Sequence, residues 1–187
     1  MIGAILTQSA AWLNAGKAIA NLKAAGALSP AAIRNLPLAE LARIIHPCGY
    51  FNAKALKLKA LVEWFGDYAD NFDNLSAVDT DILRRGLLEV HGIGPETADS
   101  ILLYAIGKPV FVIDAYTRRI ISRIGFSVEK ESYDSYQRLF TANLAADTQL
   151  YNEYHALLVK LAKDACRKKS LCLNCCLKDL CCFAREG

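Results

Sequence analysis

The chain has 187 residues, of which 53% are hydrophobic and 22% charged, with a mean hydropathy of +0.19 and a net charge of +3. This length fits one domain or two small lobes with a hydrophobic core, and the high apolar fraction with a small net charge excludes intrinsic disorder. No apolar run reaches the roughly 18 residues that a membrane helix needs, and the N-terminus lacks the basic segment of a signal peptide, so we expect a cytoplasmic protein with no membrane partner.

Positive charge is concentrated towards the two ends of the sequence. Residues 1–60 carry seven Lys and Arg against a single acid, Glu40, whereas residues 61–100 carry two basic residues against nine acids. Residues 151–187 carry seven basic residues against four acidic ones. Basic segments of this kind suit a polyanionic partner, although charge alone favours an ordinary solvated surface.

Apolar residues recur at three- and four-residue spacings along almost the whole chain, a pattern typical of amphipathic helices. Gly16 predicts a break in the first helical stretch, Ser29-Pro30 predicts a capped helix start, and Thr80 is the expected cap of the helix before segment 91–95. The run 110–113 is short and apolar but has no evident partner strand. The predicted fold class is therefore all-α, with helices at 1–14, 18–25, 38–45, 52–65, 81–90, 96–106, 115–124, 133–144 and 150–165.

Segment 91–95, with the sequence HGIGP, joins two of these helices in a tight hairpin. Neither Gly92 nor Gly94 carries a Cβ, so the backbone can adopt a positive φ there and approach another surface closely. The amides that open the following helix would suit a phosphate oxygen, and Ile93 would anchor the hairpin in the core. A plain turn between two helices accounts for the bare Gly-x-Gly pattern equally well.

Six of the seven cysteines lie in the last 22 residues, and Cys48 stands alone as an expected buried residue. Thiols inside a cell stay reduced, so metal ligation accounts for this cluster better than disulfides do. A tetrahedral zinc and a 4Fe-4S cluster fit the spacing equally well. Cys176 and Cys182 leave other registers open. The spacing C-x5-C-x2-C-x5-C is formed by Cys166, Cys172, Cys175 and Cys181.

The sequence around the hairpin resembles the helix-hairpin-helix DNA glycosylases of the endonuclease III superfamily. The resemblance rests on HGIGPETADSILLYA at 91–105, VFVIDAYTRRIISRIG at 110–125, ILTQ at 5–8 and CGYFNAKA at 48–55, together with the terminal cysteines. It implies a two-lobed helical DNA glycosylase fold. Residues 15–128 would form the lobe with the hairpin, and residues 1–14 plus 129–187 the lobe with the iron–sulfur cluster loop 166–182.

The resemblance also implies that Asp114 is the catalytic aspartate. Its carboxylate would stabilise the positive charge that develops on the sugar as the N-glycosidic bond breaks. On pattern alone, Asp114 would be no more than an N-cap. Endonuclease III carries a lysine two residues after the second hairpin glycine, where this sequence has Glu96. Because a carboxylate cannot form an imine, AP lyase activity is expected to be weak or missing.

The hairpin pattern GIGxE(S/T)AD resembles most closely the 3-methyladenine DNA glycosylases of this superfamily. That branch implies base-excision repair of an alkylated purine, a cationic base that stacks on aromatic rings. Trp12 and Phe51 are the expected base-pocket residues, with core packing as the alternative for each. Two other functions stay open: an endonuclease III-like glycosylase and lyase for oxidised pyrimidines, and a non-catalytic DNA-binding module.

Contacts to double-stranded DNA with a damaged base follow from the same resemblance. The target nucleotide is flipped out of the duplex, Gln8 fills the gap and Tyr50 wedges the opposite strand. The expected contacts to the DNA backbone are Lys54, Gly92, Gly94, Glu96 and Arg118, with Arg119 as the alternative to Arg118.

The cysteine loop of the family has the spacing C-x6-C-x2-C-x5-C. The second and third gaps agree with this sequence, whereas the first gap here is one residue shorter. The resemblance therefore favours a 4Fe-4S cluster over zinc, with the ligands Cys166, Cys172, Cys175 and Cys181. We expect the cluster to organise a basic loop and to take no part in the chemistry. The protein is expected to act as a monomer, associated with the nucleoid of a prokaryotic-type cell.

Overall fold

The computed structural model describes residues 1–126 and 132–186, and within them every regular element is helical. The all-α prediction is confirmed for this part of the chain. By its internal contacts the chain divides into Met1–Lys108 and Pro109–Gly187, called unit 1 and unit 2 below. The lobe boundary expected at 128/129 lies outside the described residues, so the predicted lobes stay a prediction. No helix of the described residues is long and apolar enough to cross a membrane.

Unit 1 is helical along most of its length, and α5 lies at its centre in contact with α1, α3, α4 and α7. A 3-10 turn at His46–Cys48 leads into α5, and a π-helical turn at Leu102–Ile106 extends α8. The buried side of α5 recurs at helical spacing through Ala55, Leu58, Leu61, Val62 and Phe65. The helices are α1 Ile2–Leu6, α2 Trp12–Ala24, α3 Pro30–Asn35, α4 Leu38–Ile44, α5 Phe51–Gly66, α6 Phe72–Ala77, α7 Thr80–Glu89 and α8 Pro95–Ile101.

The first helical stretch differs from the prediction of a break at Gly16. The helix is interrupted at residues 7–11 instead, where the Thr7 hydroxyl turns back to the carbonyls of α1 and Ser9 adopts a φ of +50°. α2 runs straight through Gly16, since an interior glycine costs a helix only about 1 kcal/mol relative to alanine. This interruption places Gln8 in a turn rather than on a helix.

Side-chain caps determine where several helices of unit 1 begin. Ser29 accepts a hydrogen bond from the Ala32 amide and Pro30 opens α3, as predicted. The cap of α7 is Asp79 rather than Thr80, because the Asp79 carboxylate reaches two amides of the first turn while Thr80 is already helical. Asp79 therefore sets the start of the helix that leads into the hairpin.

Unit 2 contains α9 Ala115–Ile124, α10 Tyr133–Thr141, α11 Thr148–Asp164 and α12 Cys182–Glu186, with a 3-10 turn at Cys172–Asn174. α9 packs against α11 and α12. The run 110–113 is buried and non-helical. The Tyr133 hydroxyl accepts a hydrogen bond from the Ile113 amide, and Gln137 donates one to the Phe111 carbonyl. Side chains of α10 thus take the place of a partner strand.

Aromatic rings form the centre of unit 2. The ring of Phe111 stacks on Phe140 with centroids 3.9 Å apart and meets Tyr151 edge-on at 5.2 Å. Tyr151 opens the buried stripe of α11, which consists of Tyr151, His155, Leu158 and Ala162. An imidazole in an otherwise apolar stripe is stable only with a polar partner.

Candidate functional site

The two glycines of the hairpin between α7 and α8 differ in conformation. Gly92 has a φ of +77°, and a Cβ built on it would lie 2.4 Å from Cε of Lys57. Gly94 has a φ of −97° with a ψ of 179°, and a Cβ there would meet nothing within 4 Å. Ile93 is buried, as expected. The hairpin's own structure therefore requires glycine at 92, whereas Gly94 leaves a stretch of backbone open.

Three hydrogen bonds attach Gln8 to the hairpin and to α5. Its Nε2 donates to the Gly92 carbonyl at 3.2 Å and to the Thr97 hydroxyl at 2.8 Å, and Lys57 Nζ donates to its Oε1 at 2.7 Å. Because an ammonium only donates, Lys57 determines which side of the amide faces the hairpin. We call Gln8, Lys57, Gly92 and Thr97 the hairpin network. The sequence analysis did not identify Lys57 or Thr97 as site residues: Lys57 lies outside the motifs, and Thr97 lies in the hairpin pattern but was given no role of its own.

Tyr50 projects from the turn that precedes α5. The residue is 74% exposed and adopts a left-handed φ of +47°, directly after Gly49 at +67°. A left-handed backbone costs an L-residue about 1–2 kcal/mol, so the surrounding structure has to enforce it. The result is a solvent-exposed aromatic ring at the position where the resemblance predicts a wedge.

Lys54 lies in the core of unit 1, so the predicted contact with the DNA backbone is wrong for this residue. Lys54 is 2% exposed, and its ammonium donates to the carbonyls of Leu6 at 2.9 Å and Cys48 at 2.8 Å. Burial lowers the pKa of the Lys54 ammonium. Its role is internal: it ties the end of α1, next to Gln8, to the turn that carries Tyr50.

The remaining predicted residues of unit 1 have varied surroundings. Trp12 opens α2 and is 72% exposed, and Phe51 packs beside the His46 ring with centroids 4.6 Å apart. Glu96 is exposed and, beside Gln8, lines a small polar pocket of about 80 Å³. Their roles in DNA and base binding stay predictions.

In unit 2 the Asp114 carboxylate stands at the N-terminus of α9. Its Oδ1 accepts a hydrogen bond from the Thr117 amide at 2.7 Å, so the residue is the N-cap. Its Oδ2 lies 3.7 Å from Nε2 of His155, with the two side chains 14% and 11% exposed. Burial raises the pKa of Asp114, but His155 and the Thr117 amide together lower it below its usual value. Asp114 is therefore a nearly buried carboxylate that is ionised at neutral pH.

His155 was missed in the sequence analysis, because it reaches Asp114 from a different helix, α11. The signal that marks it is its position in the buried stripe of that helix, where the neighbouring members are Tyr151 and Leu158. A polar residue at a core position of an amphipathic helix calls for a polar partner in the fold. Periodicity predicts that a partner exists but not which residue it is.

The two arginines at the start of α9 face different groups. The guanidinium of Arg118 lies 5.3 Å from the ring centroid of Tyr136 and 5.9 Å from that of Tyr133. Arg119 donates from Nε to the Cys166 carbonyl at 2.9 Å. Arg119 therefore holds the start of the cysteine loop, and the DNA contact expected for Arg118 stays a prediction.

Arg123, at the C-terminal end of α9, binds the same loop. Its guanidinium donates to the carbonyls of Arg167 at 2.7 Å and Lys168 at 3.2 Å, and it lies 3.4 Å from Cys166 Sγ. In return, Cys181 Sγ donates to the Arg123 carbonyl at 3.2 Å. Both ends of the cysteine loop are thus attached to α9.

The cysteine thiols of this loop are suitable metal ligands. The pKa of Cys175 is raised, chiefly by burial and also by the neighbouring thiols of Cys176, Cys166 and Cys181. Thiolates that crowd together repel one another, and a bound cation relieves that repulsion. Among the described residues, no three such side chains are already arranged as metal ligands. The donor set fits a thiolate-bound metal or cluster, and the ligand register stays open.

Comparison with known sequences agrees with these features. The model of the HhH-GPD superfamily, described as base excision DNA repair proteins, matches residues 2–145. A candidate DNA repair glycosylase of Methanocaldococcus jannaschii is 44% identical over 183 residues, which is 97% of this chain and 83% of that protein. Endonuclease III of Sulfolobus acidocaldarius is 29% identical over 97% of this chain and 79% of its own length.

Solved structures show the same similarity. H. pylori 3-methyladenine DNA glycosylase, bound to 1,N6-ethenoadenine, superposes with a TM-score of 0.74 at 30% identity, over 87% of this chain and 82% of that one. A trapped covalent intermediate of endonuclease III with DNA superposes with a TM-score of 0.82 at 21% identity, over 99% and 83% of the two chains. The second similarity is evidence for the fold alone.

Proposed function

The chain belongs to the HhH-GPD superfamily of base excision DNA repair proteins, and on that basis we propose that it is a monofunctional DNA glycosylase for alkylated purines such as 3-methyladenine. The observation that carries the proposal is the nearly buried, ionised carboxylate of Asp114. Glu96 supports base release without strand cleavage. The similarity to the H. pylori enzyme supports an alkylated purine as the substrate.

Asp114 supplies the charge that this reaction needs. When the bond between sugar and base breaks, positive charge develops at C1′ of the sugar, and a fixed carboxylate stabilises it. Oδ1 is bound to the Thr117 amide, so Oδ2 is the oxygen that faces the sugar or orients the attacking water. Because the side chain is nearly buried, water screens this charge little. Capping the helix and assisting the reaction thus use different oxygens.

Glu96 supports a glycosylase without lyase activity. Strand cleavage through a Schiff base needs an amine beside the sugar, and a carboxylate cannot provide it. We therefore expect the protein to leave an intact strand with an abasic site.

Aromatic rings in unit 1 support an alkylated purine as the substrate. Such a base is cationic and leaves without further protonation, and it gains about 0.5–2 kcal/mol from a cation–π contact. Trp12, Tyr50 and Phe51 offer rings for this stacking. The similarity to endonuclease III of S. acidocaldarius makes an oxidised pyrimidine the second candidate substrate.

DNA binding in this proposal uses the hairpin and the turn before α5. The open backbone at Gly94 and Glu96 receives a phosphate, Gln8 leaves the hairpin network to fill the gap, and Tyr50 wedges the opposite strand. Cys166, Cys172, Cys175 and Cys181 would hold a 4Fe-4S cluster, which would fix the basic residues of that loop in place. The protein acts as a monomer in the cytoplasm.

The experiment is a base-release screen with a matched variant. Duplexes carry 3-methyladenine, 1,N6-ethenoadenine, an oxidised pyrimidine or a mismatch, and the wild type is compared with Asp114→Asn. Asparagine caps a helix about as well as aspartate, so folding is preserved while release should fall about a hundredfold or more. Borohydride treatment on abasic DNA should trap no adduct.

Other outcomes favour the alternatives. Release of an oxidised pyrimidine together with a covalent borohydride adduct would establish the endonuclease III-like activity instead. Duplex binding without release of any base, unchanged in Asp114→Asn, would establish a non-catalytic DNA-binding module.

A further inference from the structure

We propose that His155 is a positioning residue for Asp114: from α11 it holds Oδ2 of the carboxylate in the orientation that base release requires. The proposal rests on the function proposed for Asp114. His155 itself neither gives nor takes a proton in it.

Asp114 needs a second point of attachment because its first leaves it free to turn. The hydrogen bond from the Thr117 amide holds Oδ1 at 2.7 Å. The terminal torsion of an aspartate is soft and broad, so a single bond at Oδ1 leaves Oδ2 able to sweep through an arc. Nε2 of His155, 3.7 Å from Oδ2, limits that arc from a different helix. The carboxylate is thereby held from α9 and α11 together.

The cost of burying an imidazole supports a specific role for it. His155 occupies a stripe of α11 whose neighbouring members, Tyr151 and Leu158, pack into the core. Taking a polar ring out of water at that position costs free energy that an apolar side chain would not incur. Nε2 lies 3.7 Å from Oδ2, which is longer than a hydrogen bond but within reach of an electrostatic contact with the carboxylate. The ring is therefore directed at the residue proposed to assist the reaction.

Three other charged groups on the packed helices have partners besides Asp114. Arg118 lies over tyrosine rings, and Arg119 donates to the Cys166 carbonyl. On the far part of α11, Lys160 pairs with Asp164 at 2.7 Å. Replacing His155 therefore tests the contact at Oδ2 directly.

Two substitutions of His155 distinguish the effect of its N–H donor from the effect of its side-chain volume. His155→Gln keeps an N–H group near the position of ring Nε2, whereas His155→Leu fills similar space without a donor. The test is the single-turnover rate of base release from methylated duplex DNA with the full-length protein in excess. We expect H155L to slow release about tenfold or more, a change of about 1.4 kcal/mol in the barrier. H155Q should recover most of that loss, and duplex affinity should stay within about twofold of the wild type in both.

A double variant tests whether His155 acts through Asp114. In an Asp114→Asn background, H155L should slow release no further, because the oxygen that it positions is already changed. A merely structural role would instead slow both backgrounds equally and lower the unfolding temperature of H155Q as much as that of H155L. Should H155L fail to fold, His155→Asn replaces it, since its shorter amide stays polar but withdraws from Oδ2.

A titration independent of turnover keeps this proposal distinct from the proposed function. Carbon-13 NMR of the Asp114 carboxyl carbon should show a higher pKa in H155L than in the wild type. If the wild type releases no base, the proposed function fails and the titration alone decides whether His155 holds Asp114. Wild-type release in H155L, or an unchanged Asp114 pKa, would overturn the positioning role.

Discussion

Alanine substitution at the two hairpin glycines should separate folding from DNA binding. Gly92→Ala places a Cβ 2.4 Å from Cε of Lys57 on a backbone with a φ of +77°. Gly94→Ala adds a Cβ in open space on a backbone with a φ of −97°. The chemical change is the same two residues apart, so each variant serves as the control for the other.

The structure gives the two variants different expected free energies of unfolding. At Gly92, left-handed strain costs about 1–2 kcal/mol, and displacing the Lys57 stem weakens its hydrogen bond to Gln8 by about 1 kcal/mol. Alanine also restricts the unfolded chain, which returns about 0.4–1 kcal/mol. Gly92→Ala should therefore lose roughly 1–3 kcal/mol of stability. At Gly94 only the unfolded-state term applies, so Gly94→Ala should keep or slightly gain stability.

Urea unfolding followed by circular dichroism measures the free energy of unfolding of the two variants. Fluorescence anisotropy with a labelled duplex measures their DNA affinity. Gly94→Ala should weaken duplex binding, because its methyl group stands where a phosphate would approach the backbone. Combining Gly92→Ala with Lys57→Ala should cost less than the sum of the single changes, since the clash is gone and only the strain persists. Equal stability of the two single variants would refute the assignment of strain to Gly92, and unchanged affinity in Gly94→Ala would refute the phosphate contact.

Three further predictions follow from buried or clustered groups. Lys54→Met leaves two buried carbonyls unpaired and should lower the free energy of unfolding by about 2–5 kcal/mol, whereas the exposed Lys23→Met should change it by less than about 0.5 kcal/mol. The lowered pKa of Asp114 keeps it ionised well into acid, so the rate of base release should be flat between about pH 5 and 8 and decline only below about pH 4; a half-maximal rate above pH 5 would contradict this. Cys172→Ser should remove the brown colour and the broad absorbance near about 400 nm expected of a thiolate-bound cluster, and should reduce the salt dependence of DNA binding by roughly one unit of log–log slope per lost phosphate contact; a colourless wild type with one zinc per chain would refute the cluster.

Features that depend on neighbours along the chain could be predicted from the sequence. The helical hairpin, the buried Ile93, the Ser29 cap and the capping role of Asp114 are all confirmed. Each depends on a few consecutive residues, whose propensities and spacings the sequence contains in full. The resemblance added the family, which the HhH-GPD match over residues 2–145 confirms.

Features that depend on residues brought together by folding could not be predicted. The sequence indicates that Lys54 is a surface cation beside a DNA-facing turn. In the fold its side chain is buried, because its ammonium is the donor for two buried carbonyls. Two features that depend on neighbours along the chain were also predicted wrongly. At the break near Gln8, the Thr7 hydroxyl donates to the carbonyls of Gly3 and Ala4, which also serve the helix. The cap of α7 is Asp79 and not the adjacent Thr80. Where two neighbouring residues can both cap a helix, the one whose side chain reaches the first amides becomes the cap.

Buried polar side chains separate structural residues from those that support the proposed site. Lys54 and Asp99 each hold partners within unit 1, Lys54 the Leu6 carbonyl and Asp99 the side chain of Arg84 at 2.7 Å. Thr97 and His155 instead contact the two residues whose proposed roles require DNA, Gln8 and Asp114. Because burial of a polar group costs free energy wherever it occurs, the difference lies in what the group holds in place. Replacing Lys54 or Asp99 should therefore mainly lower the free energy of unfolding. Thr97→Val and His155→Leu should change duplex binding or base release by more than they change stability. Equal losses of stability and activity across all four positions would show that burial carries no information about the site.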